Sequence, residues 1–222
     1  MNWKMKSFSW VIISPLLLFN LSCNQSKTID SRVDKLPYYE EATFTPHWYE
    51  AELPKDFHQI VDFELINQEG EVITAESFDD KIYVADFFFT ICPGICPKMT
   101  SNMAVLQDAF LADDDVLLIS HSVMPEYDSP EILKEYATEK GVQSGKWHLV
   151  TGQRAQIYDL GRNHYFVEEN LGLEKSVDDF LHTENFVLID KNKRIRGIYN
   201  GLNTSSIQQL IADIKLLKKE SW

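Results

Sequence analysis

From Ile82 to Phe89 the chain reads Ile-Tyr-Val-Ala-Asp-Phe-Phe-Phe, one carboxylate among eight residues, and then breaks into Thr-Ile-Cys-Pro-Gly-Ile-Cys-Pro. An apolar run of this length and composition is satisfied as a strand buried on both faces, which demands a covering layer on each side. The proline and glycine end it at a loop, and Pro97 is suited to the first turn of a helix. Cys92 and Cys96 stand at that junction, four residues apart. Thiols beside the free N–H groups and positive end of a helix are biased toward thiolate. A paired, accessible dithiol of this kind performs either disulfide exchange or capture of a soft metal.

The N-terminus sets the compartment. Lys4 and Lys6 precede an apolar run over 8–21 that is broken by Ser14 and Pro15. The run falls short of the ~20 residues of a membrane-spanning helix and fits a secretory signal, residues 1–22. Leu21-Ser22-Cys23 is similar to the end of a bacterial lipobox, whose cysteine is lipidated and becomes the new N-terminus; Asn20 departs from that pattern. The expected product is a lipoprotein anchored through Cys23, on the membrane of a bacterial cell envelope and facing the periplasm. An uncleaved anchor helix is the alternative, with the same orientation. With Cys23 modified, the remaining cysteines are Cys92 and Cys96. A disulfide between them closes too short a loop to staple a fold, so stability must come from a packed core. Hydrophobic content of 44% and 13 Phe supply one, over a single domain read at 51–222, with 23–50 as a tether. Net charge is −13, or −15 once residues 1–22 are set aside. Such a surface repels nucleic acid and anionic lipid headgroups and suits cationic partners or metal ions, but it reads first as a soluble extracytoplasmic domain kept apart by like charge.

Along the domain, residues 63–74 read as a hairpin with its turn at 68–70, and 81–89 as the buried strand. A helix is expected over 97–110, carrying Met99, Met103, Leu106 and Phe110 on one face. Residues 115–120 form a second core strand, and Asp128-Ser-Pro-Glu131 caps a helix reaching Thr138. A third strand spans 147–150 and a short helix 154–160. Residues 185–190 and 194–199 make an antiparallel hairpin, and 205–218 a last helix. This alternation specifies an α/β domain with a mixed central sheet flanked by helices and an N-terminal hairpin. A dithiol ending the first long strand is the thioredoxin-like arrangement.

Cys-Pro-Gly-Ile-Cys-Pro at 92–97 resembles the Cys-x-x-x-Cys-Pro motif of the Sco/SenC family, membrane-anchored copper proteins of thioredoxin-like fold. Further blocks agree in collinear order over about residues 50–218. Asp86-Phe-Phe-Phe-Thr90 resembles the strand entering the motif. Val123-Met-Pro-Glu-Tyr-Asp-Ser-Pro-Glu131 resembles the family's Val-Asp-Pro-Glu-x-Asp-Thr-Pro-Glu. His182-Thr-Glu-Asn-Phe-Val-Leu-Ile-Asp190 resembles the segment carrying its copper-binding histidine, and Tyr199-Asn-Gly201 follows. The resemblance implies a copper chaperone and assembly factor: Cys92, Cys96 and His182 hold copper for delivery to the dinuclear copper centre in subunit II of a cytochrome c oxidase. It departs from the family at Leu181, where many relatives carry an aspartate that orients the histidine; Asp178 or Asp179 is a substitute.

Two thiolates and an imidazole are by themselves a soft donor set for Cu(I), and the imidazole extends it to Cu(II). Zinc is the runner-up metal. A Cys92–Cys96 disulfide removes both thiolates, so a thiol reductant is an implied partner. Asp86 is the odd residue of the apolar strand. Thioredoxin resembles this stretch, with Asp-Phe at the same distance before its first cysteine and a buried carboxylate that accepts a proton; the alternative is a solvent-facing or capping acid. His121 closes the second core strand and is either a further ligand, a proton donor or a core histidine. Met124 is a thioether candidate or a packing residue. The competing function is an extracytoplasmic thiol–disulfide oxidoreductase that keeps client copper-site cysteines reduced, with Cys92 attacking, Cys96 resolving and Asp86 moving the proton.

Overall fold

A computed structural model describes residues 1, 29–50, 53–54, 56–168, 181 and 183–220. Cys23, Asp178, Asp179 and His182 lie outside the described residues, as does most of the expected signal. Among the described residues, no helix is long and apolar enough to cross a membrane.

A seven-stranded mixed sheet organises the chain. Its strands are β1 (Glu64–Asn67), β2 (Val72–Thr74), β3 (Ile82–Phe88), β4 (Val116–Ser122), β5 (Trp147–Thr151), β6 (Asn185–Ile189) and β7 (Ile195–Asn200), in the order β2-β1-β5-β4-β3-β6-β7. β3, β4 and β5 are mutually parallel and fully buried, as their apolar runs require. β6 and β7 extend the sheet antiparallel beyond β3, and β1 and β2 antiparallel beyond β5. Helices α1 (Cys96–Ala109), α2 (Pro130–Lys140) and α4 (Thr204–Leu217) cover one face. Leu106, Leu133 and Leu210 there pack over Val84, Leu118 and Leu188. The opposite face is closed by α3 (Arg154–Asp159), the segment that follows it and a 3-10 turn at Ala75–Phe78.

The thioredoxin-like, mixed-sheet architecture read from the sequence is therefore the observed one, with every expected strand and helix in place. Two elements had no signal in the pattern: the 3-10 turn after β2, and a five-residue π turn, Leu160–His164, that widens the end of α3. The second has a local cause. A Cβ at Gly161 would meet Leu181 Cδ2 at 2.7 Å and Phe87 Cε1 at 3.0 Å, so this turn approaches the sheet more closely than a side chain allows.

Part of the stretch read as a tether is packed into the domain. Leu36 belongs to the core, and Tyr38 and Tyr39 bridge to His47 and Ile195. Arg196 of β7 holds this segment. Its guanidinium is wholly buried and donates to the carbonyls of Leu36 (2.9 Å) and Pro37 (3.0 Å), to both Glu220 carboxylate oxygens (2.9 Å each) and to Asp190 Oδ2 (3.3 Å). It also sits 4.1 Å from the centroid of the Tyr38 ring.

Candidate functional site

β3 ends at Phe88, and the chain turns through Phe89, Thr90 and Ile91 to bring Cys92 back toward the first turn of α1. Cys92 N–H donates to Phe89 O at 3.3 Å. α1 opens at Cys96, one residue before the expected start, with Pro97 in its first turn, where a missing N–H costs nothing. Both cysteines are free thiols; Cys96 is buried and Cys92 partly exposed.

Their environments push them apart. Burial acts to raise the Cys92 thiol, but hydrogen bonds from the Cys96 thiol and from the N–H groups of Cys96, Gly94 and Ile95 outweigh it and leave its pKa lowered. Cys96 is pushed up to about 12, first by burial and then by its bond to Cys92, against a smaller opposing contribution from the Phe89 N–H. The result is an accessible thiol biased toward thiolate, backed by a buried thiol held protonated.

Asp86 faces this helix from beneath. In β3, Val84 and Phe88 point toward α1 while Ala85 and Phe87 point to the opposite face, so alternation places Asp86 on the α1 side. It is buried, not solvent-facing: Ser120 Oγ donates to Asp86 Oδ1, and Trp147 Nε1–H donates to Ser120 Oγ at 2.8 Å. Burial raises its carboxyl from 3.8 to about 7, with the Ser120 hydrogen bond opposing. The folded protein thus binds a proton at Asp86 that the unfolded chain has already released, and stability falls as pH rises from about 4 to about 7. For the reduced, metal-free protein, Asp86→Asn is expected to flatten that slope and to raise the melting temperature more at pH 8 than at pH 5. A limiting gain on the order of 1 kcal/mol per unit of pKa shift sets the scale. Parallel pH–melting curves for the two proteins would contradict it.

His121 belongs to the other side of the sheet. Its ring stacks on Phe87 at 4.6 Å and lies 5.2 Å from that of Tyr165, with Nδ1 3.2 Å from Asp86 O. Nε2 has no hydrogen-bond partner, and burial drives the imidazole pKa down to about 4. It is a core histidine on the face away from Cys96. Met124 is half-buried in the loop after β4, its N–H donating to Ser122 Oγ at 3.1 Å.

His182 is outside the described residues, but its flanks are placed. Leu181 is buried against the π turn and Phe87 and serves as core. Thr183 Oγ1 and Asn185 Nδ2 both donate to Val167 O, at 2.6 and 3.0 Å. β6 starts at Asn185 and runs antiparallel to β3, so the chain entering β6 meets the sheet at the end where β3 passes into the cysteine loop. Gly201 ties this end to α1. Its N–H donates to Glu184 O and its carbonyl accepts from Asn102 Nδ2, both at 2.6 Å. A Cβ there would sit 2.9 Å from Glu184 O. Among the described residues, no three His, Cys, Asp or Glu side chains gather as a metal site, and the described part of the expected donor set is the dithiol.

Sequence reasoning missed Asp128 and Thr90. Asp128-Ser-Pro-Glu131 was expected to cap α2 as a unit, yet Ser129 alone caps it, accepting from Ile132 N–H at 3.4 Å. Asp128 turns inward to Thr90 and Ser122. Two cap-capable residues in a row, of which one suffices, was the available signal.

The SCO1/SenC family model matches residues 52–219. A SCO1 protein homolog of Bacillus subtilis is 30% identical over 160 residues, covering 71% of this chain and 82% of that one. Among solved structures, a SCO1/SenC family lipoprotein from Bacillus anthracis is 30% identical with a TM-score of 0.64, covering 73% of this chain and 96% of that one. BsSco, a member of the Sco family of cytochrome c oxidase assembly proteins in which a disulfide switch was identified, is 28% identical with a TM-score of 0.62 over 78% of this chain and all of that one. Bradyrhizobium japonicum ScoI with copper bound, 24% identical with a TM-score of 0.55 over 71% of this chain and 98% of that one, shares the fold.

Proposed function

The chain belongs to the SCO1/SenC family, and we propose that it is a copper chaperone that holds the ion between Cys92, Cys96 and His182. Copper is cargo here, bound and then released. The observation that carries the reading is the dithiol itself: a lowered, accessible Cys92 paired with a buried Cys96 at the start of α1. Two soft sulfur donors suit Cu(I), and an imidazole entering from the β6 side would extend the site to Cu(II). The placement of Leu181 and Thr183 at the same end of the sheet supports His182 as that third donor.

Delivery is to the dinuclear copper site of cytochrome c oxidase subunit II, in keeping with the oxidase-assembly role stated for BsSco and the copper bound by ScoI. Release proceeds by exchange of copper to the partner's own thiols and imidazoles. Both cysteines must be reduced to bind, so a thiol reductant acts upstream. Residues 1–22 are removed and Cys23 carries lipid, placing the domain on the periplasmic side of a bacterial membrane; the lipoprotein relative from Bacillus anthracis supports this.

A second reading, a thiol–disulfide oxidoreductase, is favoured by Asp86. Cys92 attacks a client disulfide to form a mixed disulfide, and Cys96 displaces the client thiol and closes the Cys92–Cys96 bond. The Cys96 proton passes to Asp86, whose raised pKa suits it to accept near neutrality.

Titration of the reduced, metal-free protein with Cu(I) and Cu(II), beside His182→Ala, separates the two. The parent is expected to bind one equivalent tightly. The variant should bind Cu(I) at least about tenfold more weakly, and Cu(II) more weakly still. Weak parental binding that is unchanged in His182→Ala overturns the chaperone reading and leaves the dithiol as a redox pair, in which case Cys96→Ser should trap a client in a mixed disulfide.

A further inference from the structure

Thr90 stands two residues before Cys92, and a single carboxylate holds it from across the loop. Asp128 is completely buried. Its Oδ2 accepts from the Thr90 N–H at 3.2 Å and from Ser122 Oγ at 2.5 Å, while Oδ1 accepts from Thr90 Oγ1 at 2.5 Å. A carboxylate withdrawn from water is tolerated where donors replace its hydration, and two of these three come from Thr90. The carboxylate is itself fixed. Asp128 N–H and Tyr127 N–H both donate to Met124 O at 2.9 Å, and α2 begins immediately after the Ser129 cap. On the other side of the loop, Val123 N–H donates to Phe88 O at 2.8 Å, extending the β3–β4 pairing to the last residue of β3. Thr90 is thus clamped between a pinned strand end and Cys92, by its backbone and its side chain together.

We propose that Asp128 is a positioning residue for the dithiol: through Thr90 it fixes how Cys92 meets the first N–H groups of α1, and so sets the balance between dithiol and disulfide. The proposal deepens the reading of Cys92 and Cys96 as the functional pair and rests on it. Cys92 sits beside the open start of α1, its sulfur 4.0 Å from where a Cβ on Gly94 would lie, and where it meets those first N–H groups depends on where the loop begins. Free N–H groups at a helix start favour a thiolate and gain nothing from the neutral sulfur of a disulfide, so they favour the reduced form. Loosening Thr90 therefore weakens the reduced state relative to the oxidised one.

The test is the midpoint of the Cys92–Cys96 couple in the full-length, metal-free protein, poised in glutathione buffers and read by thiol trapping. Two thiols of the protein lose two electrons and two protons and form one S–S bond, and one glutathione disulfide becomes two thiols. Thr90→Val keeps the N–H and removes the hydroxyl; it is expected to shift the equilibrium about tenfold toward the disulfide, lowering the midpoint by about 30 mV. Thr90→Ser restores the hydroxyl and should match the parent. Asp128→Asn should shift the couple in the same direction, and adding Thr90→Val to it should change little further, since both act through one contact. A parental midpoint in Thr90→Val, or an equal shift in Thr90→Ser, overturns the proposal. Should Asp128→Asn not fold, the two Thr90 variants carry the test. No metal enters the measurement, so a parent without a copper site refutes the chaperone reading and leaves this result standing; a parent with a copper site and an unmoved midpoint refutes the positioning role alone.

Discussion

Cys92→Ser is expected to weaken copper(I) binding by more than the about 100-fold that loss of an orienting neighbour costs a metal site. The substitution exchanges a soft, polarizable sulfur for a hard hydroxyl that is not deprotonated near neutrality. The N–H groups of Gly94, Ile95 and Cys96 that bias the thiol toward thiolate would face a neutral oxygen. Stability is another matter. Cys92 lies in a partly exposed loop outside every helix and strand, so the melting temperature of the metal-free protein should move by no more than about 2 °C. Competition against a chromophoric copper(I) chelator, beside thermal melts of the apo forms, measures both quantities. Affinity within tenfold of the parent would remove Cys92 from the ligand set.

Arg196→Met is expected to have the opposite profile, a large loss of stability and an unaltered copper affinity in protein that remains folded. The methionine fills the apolar part of the site. It cannot donate to Asp190, Glu220 and the carbonyls of Leu36 and Pro37. Removing one partner of a buried ion pair costs about 3–5 kcal/mol, because the other charge is left uncompensated; in a domain of this size that is a fall of roughly 10 °C. Asp190 is that other charge. Burial already raises its carboxyl pKa, against backbone N–H groups and Arg196 that lower it. Without the guanidinium it rises further, so the folded variant holds a proton that the unfolded chain gives up. The deficit should therefore grow as pH rises through the acid range, and be smaller at pH 4.5 than at pH 8. Chemical denaturation at the two pH values measures it; a loss under 1 kcal/mol at both would show that the network contributes little. Adding Asp190→Asn to Arg196→Met should recover part of the loss, since the asparagine oxygen still accepts from Asn192 and Arg194 N–H.

The two predictions act at places of different visibility in the sequence. Cys92 and Cys96 were legible because an apolar strand running into Cys-Pro-Gly-Ile-Cys-Pro leaves few alternatives, and burial of every residue in β3 follows from the same run. Helix α4 was legible from the periodicity of Ile207, Leu210, Ile211, Ile214 and Leu217, all buried except Ile211, which is partly so. The side of the sheet taken by Asp86 and His121 was not, because a fully buried strand carries no alternation to mark its two faces. Only the packing of Val84 and Phe88 toward α1, and of Phe87 toward Tyr165, separates the acid from the histidine. Arg196 was read as an ordinary residue of a hairpin strand. Its partners are 6, 24, 159 and 160 residues away, and no local pattern announces a guanidinium that binds across such separations. Asp128 was hidden by its own neighbourhood, since an aspartate beside Ser-Pro-Glu reads first as a cap.

Arg196 stands near the start of β7, beside Ile189 and, across β6, Tyr83 at the start of β3. The cysteine loop leaves the other end of β3. The buried guanidinium that ties Leu36 and Pro37 to β7 therefore lies at the opposite end of β3 from the thiols. There a single side chain holds two consecutive backbone carbonyls and two carboxylates together. A displacement of residues 36–37 is thus taken up at the end of the sheet away from Cys92 and Cys96.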